Sequence, residues 1–183
     1  MDRLKTRFEE TRNVAFKNPL EASASSLSRS EWRKPPSQCI RINTVAAVKG
    51  GTSMVGIVAR DQQMEIQKIK AVKCCSNIPE VAEAFGILQG MKLAKEEGWN
   101  KIWCESDARN IVTSINNPDA QISHWAAAGI ISDIVQLKSE FQEAHLMWIP
   151  REKNFLAHFV SNWAVKNGMC GVLSLSPVPF PFL

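Results

Sequence analysis

A junction between a predicted strand and a predicted helix combines acidic, hydroxyl and basic side chains. The run KIWCES predicts the strand, and DARNIVTSI predicts the short helix that follows it. Backbone N–H groups and the helix dipole favour a phosphate at a helix start, so Ser106, Arg109 and Asn110 are candidate phosphate ligands or, alternatively, solvated polar residues. Asp107 can cap the same helix. Glu105, two residues earlier, faces the same side as Asp107 if the strand is regular.

A second group of candidates lies towards the carboxyl end of the chain. FLAHFVSNWAVKN predicts a helix that Asn154 caps and Gly168 ends. His158 lies within this helix, and an imidazole can transfer a proton or bind a metal ion, although a lone His on an amphipathic helix is more often structural. Arg151 and Lys153 precede the helix as phosphate contacts or as solvated charges. Only the fold can bring the two groups of candidates together.

Composition indicates a globular intracellular protein. Of the 183 residues, 45% are hydrophobic and 22% are charged, which allows a packed core. The chain has no apolar run of membrane-spanning length, and its charged start lacks the apolar segment of a secretory signal. Five cysteines without C-x-x-C spacing are expected to be reduced thiols rather than a disulfide framework or a zinc site. We therefore expect a cytoplasmic or nuclear location and no membrane partner.

The positive net charge is concentrated outside the main domain. Residues 1–38 contain 8 Lys+Arg and 5 Asp+Glu, whereas the remaining residues contain 14 and 13. The domain is nearly neutral, so nucleic-acid binding would depend on locally placed cations and would be modest and sensitive to salt.

The order of patterns predicts an α/β domain at 38–170, between an arm and linker at 1–37 that includes a short helix and a Pro-rich apolar tail at 171–183. Three strands come first, and helices then alternate with two more strands, with HWAAAGIISDIVQLKSEF as the third of four helices. This order predicts a five-stranded mixed sheet, with three antiparallel strands and later parallel additions, and helices on both faces. The domain's tryptophans are expected to pack in the core rather than to stack on bases: Trp99, Trp103, Trp125, Trp148 and Trp163.

Four motifs in order resemble the ribonuclease H-like domains of plant retroelement reverse transcriptases. They are RINTVAAV at 41–48, AEAFGILQGMKLA at 82–94, IWCESDA at 102–108 and WIPREKNFLAH at 148–158. The resemblance implies the ribonuclease H fold. It also implies that Glu83 and Asp107 occupy two of the family's four acidic positions, whereas Val45 and His158 stand where the family has Asp.

The resemblance further implies cleavage of phosphodiesters with two Mg²⁺ ions about 4 Å apart, held by those four acids. Val45 has no ligand atom for the bridging position, and His158 is a poor Mg²⁺ ligand that can act as a base or bind a softer ion such as Mn²⁺. Glu83 and Asp107, with Glu105 as a candidate addition, would bind Mg²⁺ or Mn²⁺ weakly if at all. We therefore expect Mg²⁺-dependent cleavage to be reduced or lost.

The expected partner is a duplex containing RNA, either an RNA/DNA hybrid or double-stranded RNA. Both present 2′-OH groups in a wide minor groove, where Asn43 can bind them, with Ser106, Arg109, Arg151 and Asn154 as further candidate contacts. Two hypotheses remain open. One is an endoribonuclease with an altered site that uses Glu83, Asp107 and His158, and the other is a catalytically silent, domesticated module that binds nucleic acid or protein.

Overall fold

Strand-forming and helix-forming segments alternate from residue 40 onward and build a mixed α/β sheet with helices on both faces. The computed structural model describes residues 38–49, 51–117, 119–120 and 124–173, so the predicted arm at 1–37 and the last ten residues lie outside the described part. The strands are β1 (Ile40–Lys49), β2 (Thr52–Arg60), β3 (Ile66–Cys74), β4 (Lys101–Ser106), β5 (Glu143–Trp148) and β6 (Gly171–Leu173). The α-helices are α1 (Pro79–Glu96), α2 (Arg109–Asn116), α3 (Ala128–Lys138) and α4 (Phe155–Asn167), with short 3₁₀ helices at Trp125–Ala127 and Arg151–Asn154.

The sheet has six strands, in the order β5-β4-β1-β2-β3-β6. Strands β1 to β3 are antiparallel, and β4 and β5 add in parallel beside β1, as predicted. The predicted count of five was wrong because β6 pairs antiparallel with β3 at the far edge. It has only three residues, which is too short for an alternating pattern to appear in the sequence.

One face of the sheet packs against α1, α2 and α3. Ile42 on β1, Ile57 on β2 and Ile102 on β4 are fully buried there, together with Met91 of α1 and Ile134 of α3. Side chains alternate between faces along a strand, so the residues between these positions point to the opposite side. This packing places Asp107, just beyond β4, beside the face that α4 covers.

Helix α4 lies directly against the middle of the sheet on that opposite face. A Cβ atom added to Gly56 of β2 would collide with the backbone oxygen of Ala157 and lie 2.7 Å from the backbone nitrogen of Ser161. Val45 is paired with Gly56 across β1 and β2, so it shares this face and is fully buried. The absence of a side chain at Gly56 is therefore what lets α4 approach the sheet.

Two predicted helix features differ from the structure. The third helix was predicted from His124 to Phe141, but a 3₁₀ turn precedes it and α3 ends at Lys138. Trp125, in that turn, is 85% exposed and therefore does not pack in the core. Helix α4 has its predicted bounds, and Gly168 ends it with a φ of 64°.

None of the described helices has the length and apolar character needed to cross a membrane.

Replacing Gly56 with Ala should destabilise the fold by about 3 kcal/mol, because the new methyl group meets backbone atoms that cannot rotate away. Urea denaturation measures this change. Gly129→Ala is the matched control, because nothing lies within 4 Å of its added Cβ and Gly is a poor helix former. It should be neutral or stabilise the protein by up to about 1 kcal/mol. Equal effects of the two substitutions would contradict close packing of α4 on β2.

Candidate functional site

Three sequence-predicted residues, Glu83, Asp107 and His158, come together at one edge of the sheet. Asp107 follows the carboxyl end of β4, Glu83 lies in the first turns of α1, and His158 lies in the second turn of α4. Nε2 of His158 lies 2.9 Å from Oδ2 of Asp107. Burial raises the pKa of Glu83, and the nearby charge of Asp107 raises it further. Residues that are 75 positions apart in the sequence thus form a single group.

The carboxylate of Asp107 is bound on both oxygens by protein donors. Nδ2 of Asn154 donates to Oδ1 at 2.9 Å, and Nε2 of His158 donates to Oδ2, since an ionised carboxylate can only accept. Nη1 of Arg151 lies 3.8 Å from Oδ2. Burial raises the pKa of Asp107, but the hydrogen bonds from His158 and Asn154 outweigh it and the pKa is lowered. Asp107 is therefore an ionised partner of His158.

Asn154 also fixes this carboxylate to the central strand. Its Nδ2 donates to the backbone oxygen of Thr44 on β1 at 2.9 Å, and the side chain is only 1% exposed. Asn154 occupies the N-cap position of α4, as predicted, but its side chain makes no capping hydrogen bond. Asp107 likewise does not cap α2 by its side chain. The side chains of Asn154 and Asp107 therefore hydrogen-bond to each other within the site instead of capping the N-termini of α4 and α2.

Glu83 is held in a different way. Its Oε2 accepts the backbone N–H of Ala46 on β1 at 3.1 Å. Burial, and secondarily the charge of Asp107, raise the pKa of Glu83 to about 8, against the opposing effects of the Ala46 hydrogen bond and Arg151. Without a cation nearby, the carboxyl group is therefore mostly protonated at neutral pH.

The site offers few oxygen ligands for a metal ion. Val45, at the position where the sequence resemblance implies an Asp, contributes only carbon atoms and is fully buried. Within the described ranges, no group of three or more His, Cys, Asp and Glu side chains is placed to hold a metal ion. The residues present therefore supply too few carboxylate oxygens to fit a pair of Mg²⁺ ions.

Glu105, the candidate additional ligand, belongs to a separate buried ion cluster. Its Oε1 lies 3.3 Å from Nε of Arg41, and its Oε2 accepts Nδ2 of Asn43 at 3.0 Å. Nη2 of Arg60 donates to Oδ1 of Asn43 at 2.6 Å. Burial raises the pKa of Glu105 despite the lowering effect of Arg41 and the Asn43 hydrogen bond. This carboxylate therefore serves as the counter-charge of two buried arginines.

The predicted substrate-binding residues divide by exposure. Asn43, Ser106 and Asn154 are each only 1% exposed and have protein partners, so they do not present polar atoms to a large ligand. Arg109 and Arg151 are exposed beside Asp107. The rim of the site is therefore basic, whereas its interior is closed by internal hydrogen bonds.

Two residues of this region were not predicted. Arg60 gave no local signal, because its partner Asn43 lies across the β1–β2 hairpin. Trp148 was predicted to pack in the core, but it is 37% exposed and its ring lies 5.2 Å from Cζ of Arg109. Its position at the end of β5, followed by Pro150, was the available signal that it lies at the sheet edge.

Replacing Glu83 with Gln should change how stability depends on pH. The pKa of Glu83 is about 8 when folded and 4.5 as its ordinary value, so between these pH values the folded chain binds a proton that the unfolded chain has released. The free energy of unfolding of the parent therefore falls as pH rises. Gln keeps an oxygen for Ala46 and cannot ionise. Between pH 5 and pH 8, the free energy of unfolding of the variant should rise by about 1 kcal/mol or more relative to that of the parent.

Urea denaturation at a series of pH values, with EDTA present, measures this difference. Glu65→Gln is the control, because Glu65 is exposed in the β2–β3 connection. It should follow the parent at every pH. Parallel pH profiles of the parent and Glu83→Gln would contradict a protonated Glu83 at neutral pH.

Two of three comparisons with known proteins found a match. A family model described as reverse transcriptase-like matches residues 42–164. No curated protein sequence matches the chain significantly. The N-terminal ribonuclease H domain of rv2228c from Mycobacterium tuberculosis is similar in structure, with a TM-score of 0.64, 19% identity, and coverage of 70% of this chain and 94% of that one.

Two further solved structures show the same fold. Ribonuclease H1 from the archaeon Halobacterium salinarum has a TM-score of 0.66 and 15% identity over 70% of this chain and 98% of its own. LC11 ribonuclease H1 from compost, solved in complex with an RNA/DNA hybrid, has a TM-score of 0.63 and 18% identity over 70% and 98%. With a family model that covers most of the described domain, the chain belongs to the reverse transcriptase-like family and has the ribonuclease H-like fold.

Proposed function

We propose that this chain is a ribonuclease H-like protein that acts on RNA-containing duplexes, RNA/DNA hybrid or double-stranded RNA, and whose Mg²⁺-dependent cleavage is reduced or lost. The observation that carries the proposal is the state of the Asp107 carboxylate. Each of its two oxygens accepts a hydrogen bond, one from Asn154 and one from His158. The charge compensation that divalent ions give to clustered acids is supplied here by the protein itself.

The bridging position supports the same conclusion. Ribonucleases H normally use divalent metal ions, and the shared ligand between two ions must be an oxygen. Val45 lies fully buried against α4 and cannot supply one. Mg²⁺ or Mn²⁺ would bind here weakly if at all, chiefly through Glu83 and Asp107.

Binding of nucleic acid is supported by the basic rim and by the structural similarity to a ribonuclease H1 that was solved with an RNA/DNA hybrid. Arg109, Arg151 and Lys153 are exposed around Asp107. Cations in such positions contact phosphates without reading sequence, and the resulting affinity falls as salt rises. Because Asn43 is buried, recognition of 2′-OH groups would have to come from other atoms at this edge.

A residual endoribonuclease is the second candidate, and the His158–Asp107 contact favours it. A carboxylate that accepts a hydrogen bond from one ring nitrogen orients the imidazole and leaves the other nitrogen as a base or a ligand for Mn²⁺. The third candidate is a domesticated module that binds only protein partners, in which case the basic rim would have no affinity for nucleic acid.

Restoring the two missing acids should restore cleavage if the fold still positions its substrate. We expect the parent to bind labelled hybrid and double-stranded RNA at low salt but to cleave neither efficiently in Mg²⁺. The double variant Val45→Asp/His158→Asp should cleave in Mg²⁺ more than about 100-fold faster than the parent. Loss of a residue that only hydrogen-bonds a metal ligand costs up to roughly 100-fold, and the loss of ligands themselves should cost more. Its thermal unfolding temperature should also rise with Mg²⁺, because the ion compensates the buried acids.

Asp107→Asn in the restored background is the matched control and should abolish the gain. The parent must be assayed in Mg²⁺, in Mn²⁺ and in EDTA. The opposite outcome is that the parent cleaves as fast as the restored variant and loses this activity on Asp107→Asn. That result would support the residual-endoribonuclease hypothesis and contradict the proposed loss of cleavage. If the parent fails to bind either duplex at low salt, nucleic acid is excluded as the partner.

A further inference from the structure

An exposed aromatic and cationic pair lies beside Asp107, where it joins Arg109 of the basic rim to a tryptophan that the proposed function does not use. Trp148 ends β5 and is paired with Ser106, the last residue of β4. Cζ of Arg109 lies over its indole ring, 5.2 Å from the centroid. The backbone N–H of Ile149 donates to the oxygen of Ser106 at 3.0 Å, which fixes the end of β5 against β4. The pair is therefore held one strand away from Asp107.

An open, shallow groove lies along α2 and begins at Arg109, the cationic member of the pair. It is lined by Arg109, Asn110, Thr113, Ser114 and Ala120, none of which is acidic. The hydroxyls of Thr113 and Ser114 donate to backbone oxygens of their own helix at 2.8 and 3.0 Å, so their hydrogens are already used. The groove is therefore a surface on which an extended chain could lie, and it would not repel a phosphate backbone.

The chemistry of the pair and the groove fits an unpaired nucleotide. Bases within a duplex are stacked and cannot enter a lateral groove, whereas an unpaired base exposes both faces. Single-stranded nucleic acid is typically bound by aromatic rings and arginines that stack on bases, beside cations that contact the backbone. Arg151, whose side chain is 72% exposed and lies 3.8 Å from Asp107, is such a cation.

We propose that Trp148 and Arg109 form a stacking platform for an unpaired nucleotide that extends from an RNA-containing duplex. The inference rests on the proposed function, because the duplex itself must lie at the edge that contains Asp107. It adds a substrate preference to that function, namely that the protein binds a duplex with a single-stranded extension more tightly than a blunt duplex. The groove along α2 receives the extension.

Binding of labelled hybrids of equal duplex length, blunt or with a short 5′ or 3′ single-stranded extension, tests this preference. The parent should bind one of the extended hybrids about 10-fold more tightly than the blunt one, in line with the stacking of a single base. Trp148→Ala should remove the preference and leave the affinity for blunt duplex nearly unchanged. Trp148→Phe keeps an aromatic ring and should retain most of the preference for extended hybrids. Comparison of the two variants therefore distinguishes loss of stacking from a defect in folding.

Trp125→Ala is the matched control, because Trp125 is an exposed tryptophan that stacks only on His124 among the described contacts. It should keep the full preference for extended hybrids. Equal affinity of the parent for blunt and extended hybrids, or a preference that survives in Trp148→Ala, would overturn the platform while the proposed duplex binding stands. No binding to any hybrid at low salt would overturn both.

Discussion

The carboxylate of Asp107 is the contact on which the geometry of the site depends. It accepts hydrogen bonds from His158 and Asn154 of the segment that begins α4, and Asn154 also donates to the backbone of Thr44 on β1. Two parallel strands and a helix from the far end of the chain are therefore joined at one point. A half-buried carboxylate requires cations or donors to compensate its charge. Protein donors meet this requirement here, so the fold needs no metal ion to keep its acid ionised and in place.

The same principle organises the next row of side chains on that face of the sheet. Arg41, Asn43 and Glu105 lie on adjacent strands, and Arg60 reaches Asn43 from β2. Burial lowers the pKa of Arg60 to about 10, and Arg41 adds to this effect while Glu105 opposes it. Removal of one charge would leave the others uncompensated in a dry environment, which is costly. Glu105 is thus required where it is, and its nearness in sequence to Asp107 does not make it part of the same site.

Local patterns in the sequence were sufficient for the elements but not for the partners of buried polar groups. The bounds of β4 and α4 were predicted because apolar periodicity and end residues are local properties. The order of the motifs was enough to predict that Glu83, Asp107 and His158 meet. The role of Asn154 was not predicted, because its acceptor on Thr44 lies 110 residues away. A polar residue before a helix has the same sequence signature whether it caps the helix or binds a distant strand.

The structure separates the residues that would perform chemistry from those that can contact a ligand. In the interior, His158 contacts Asp107, and Glu83 accepts a hydrogen bond from the backbone of β1. At the rim, the guanidinium of Arg109 lies over the ring of Trp148, on the surface. Arg151 connects the two groups, because it is exposed and its Nη1 lies 3.8 Å from Oδ2 of Asp107. Interior and rim are thus built largely from different side chains, and the Asp107 carboxylate is the atom group through which one can affect the other.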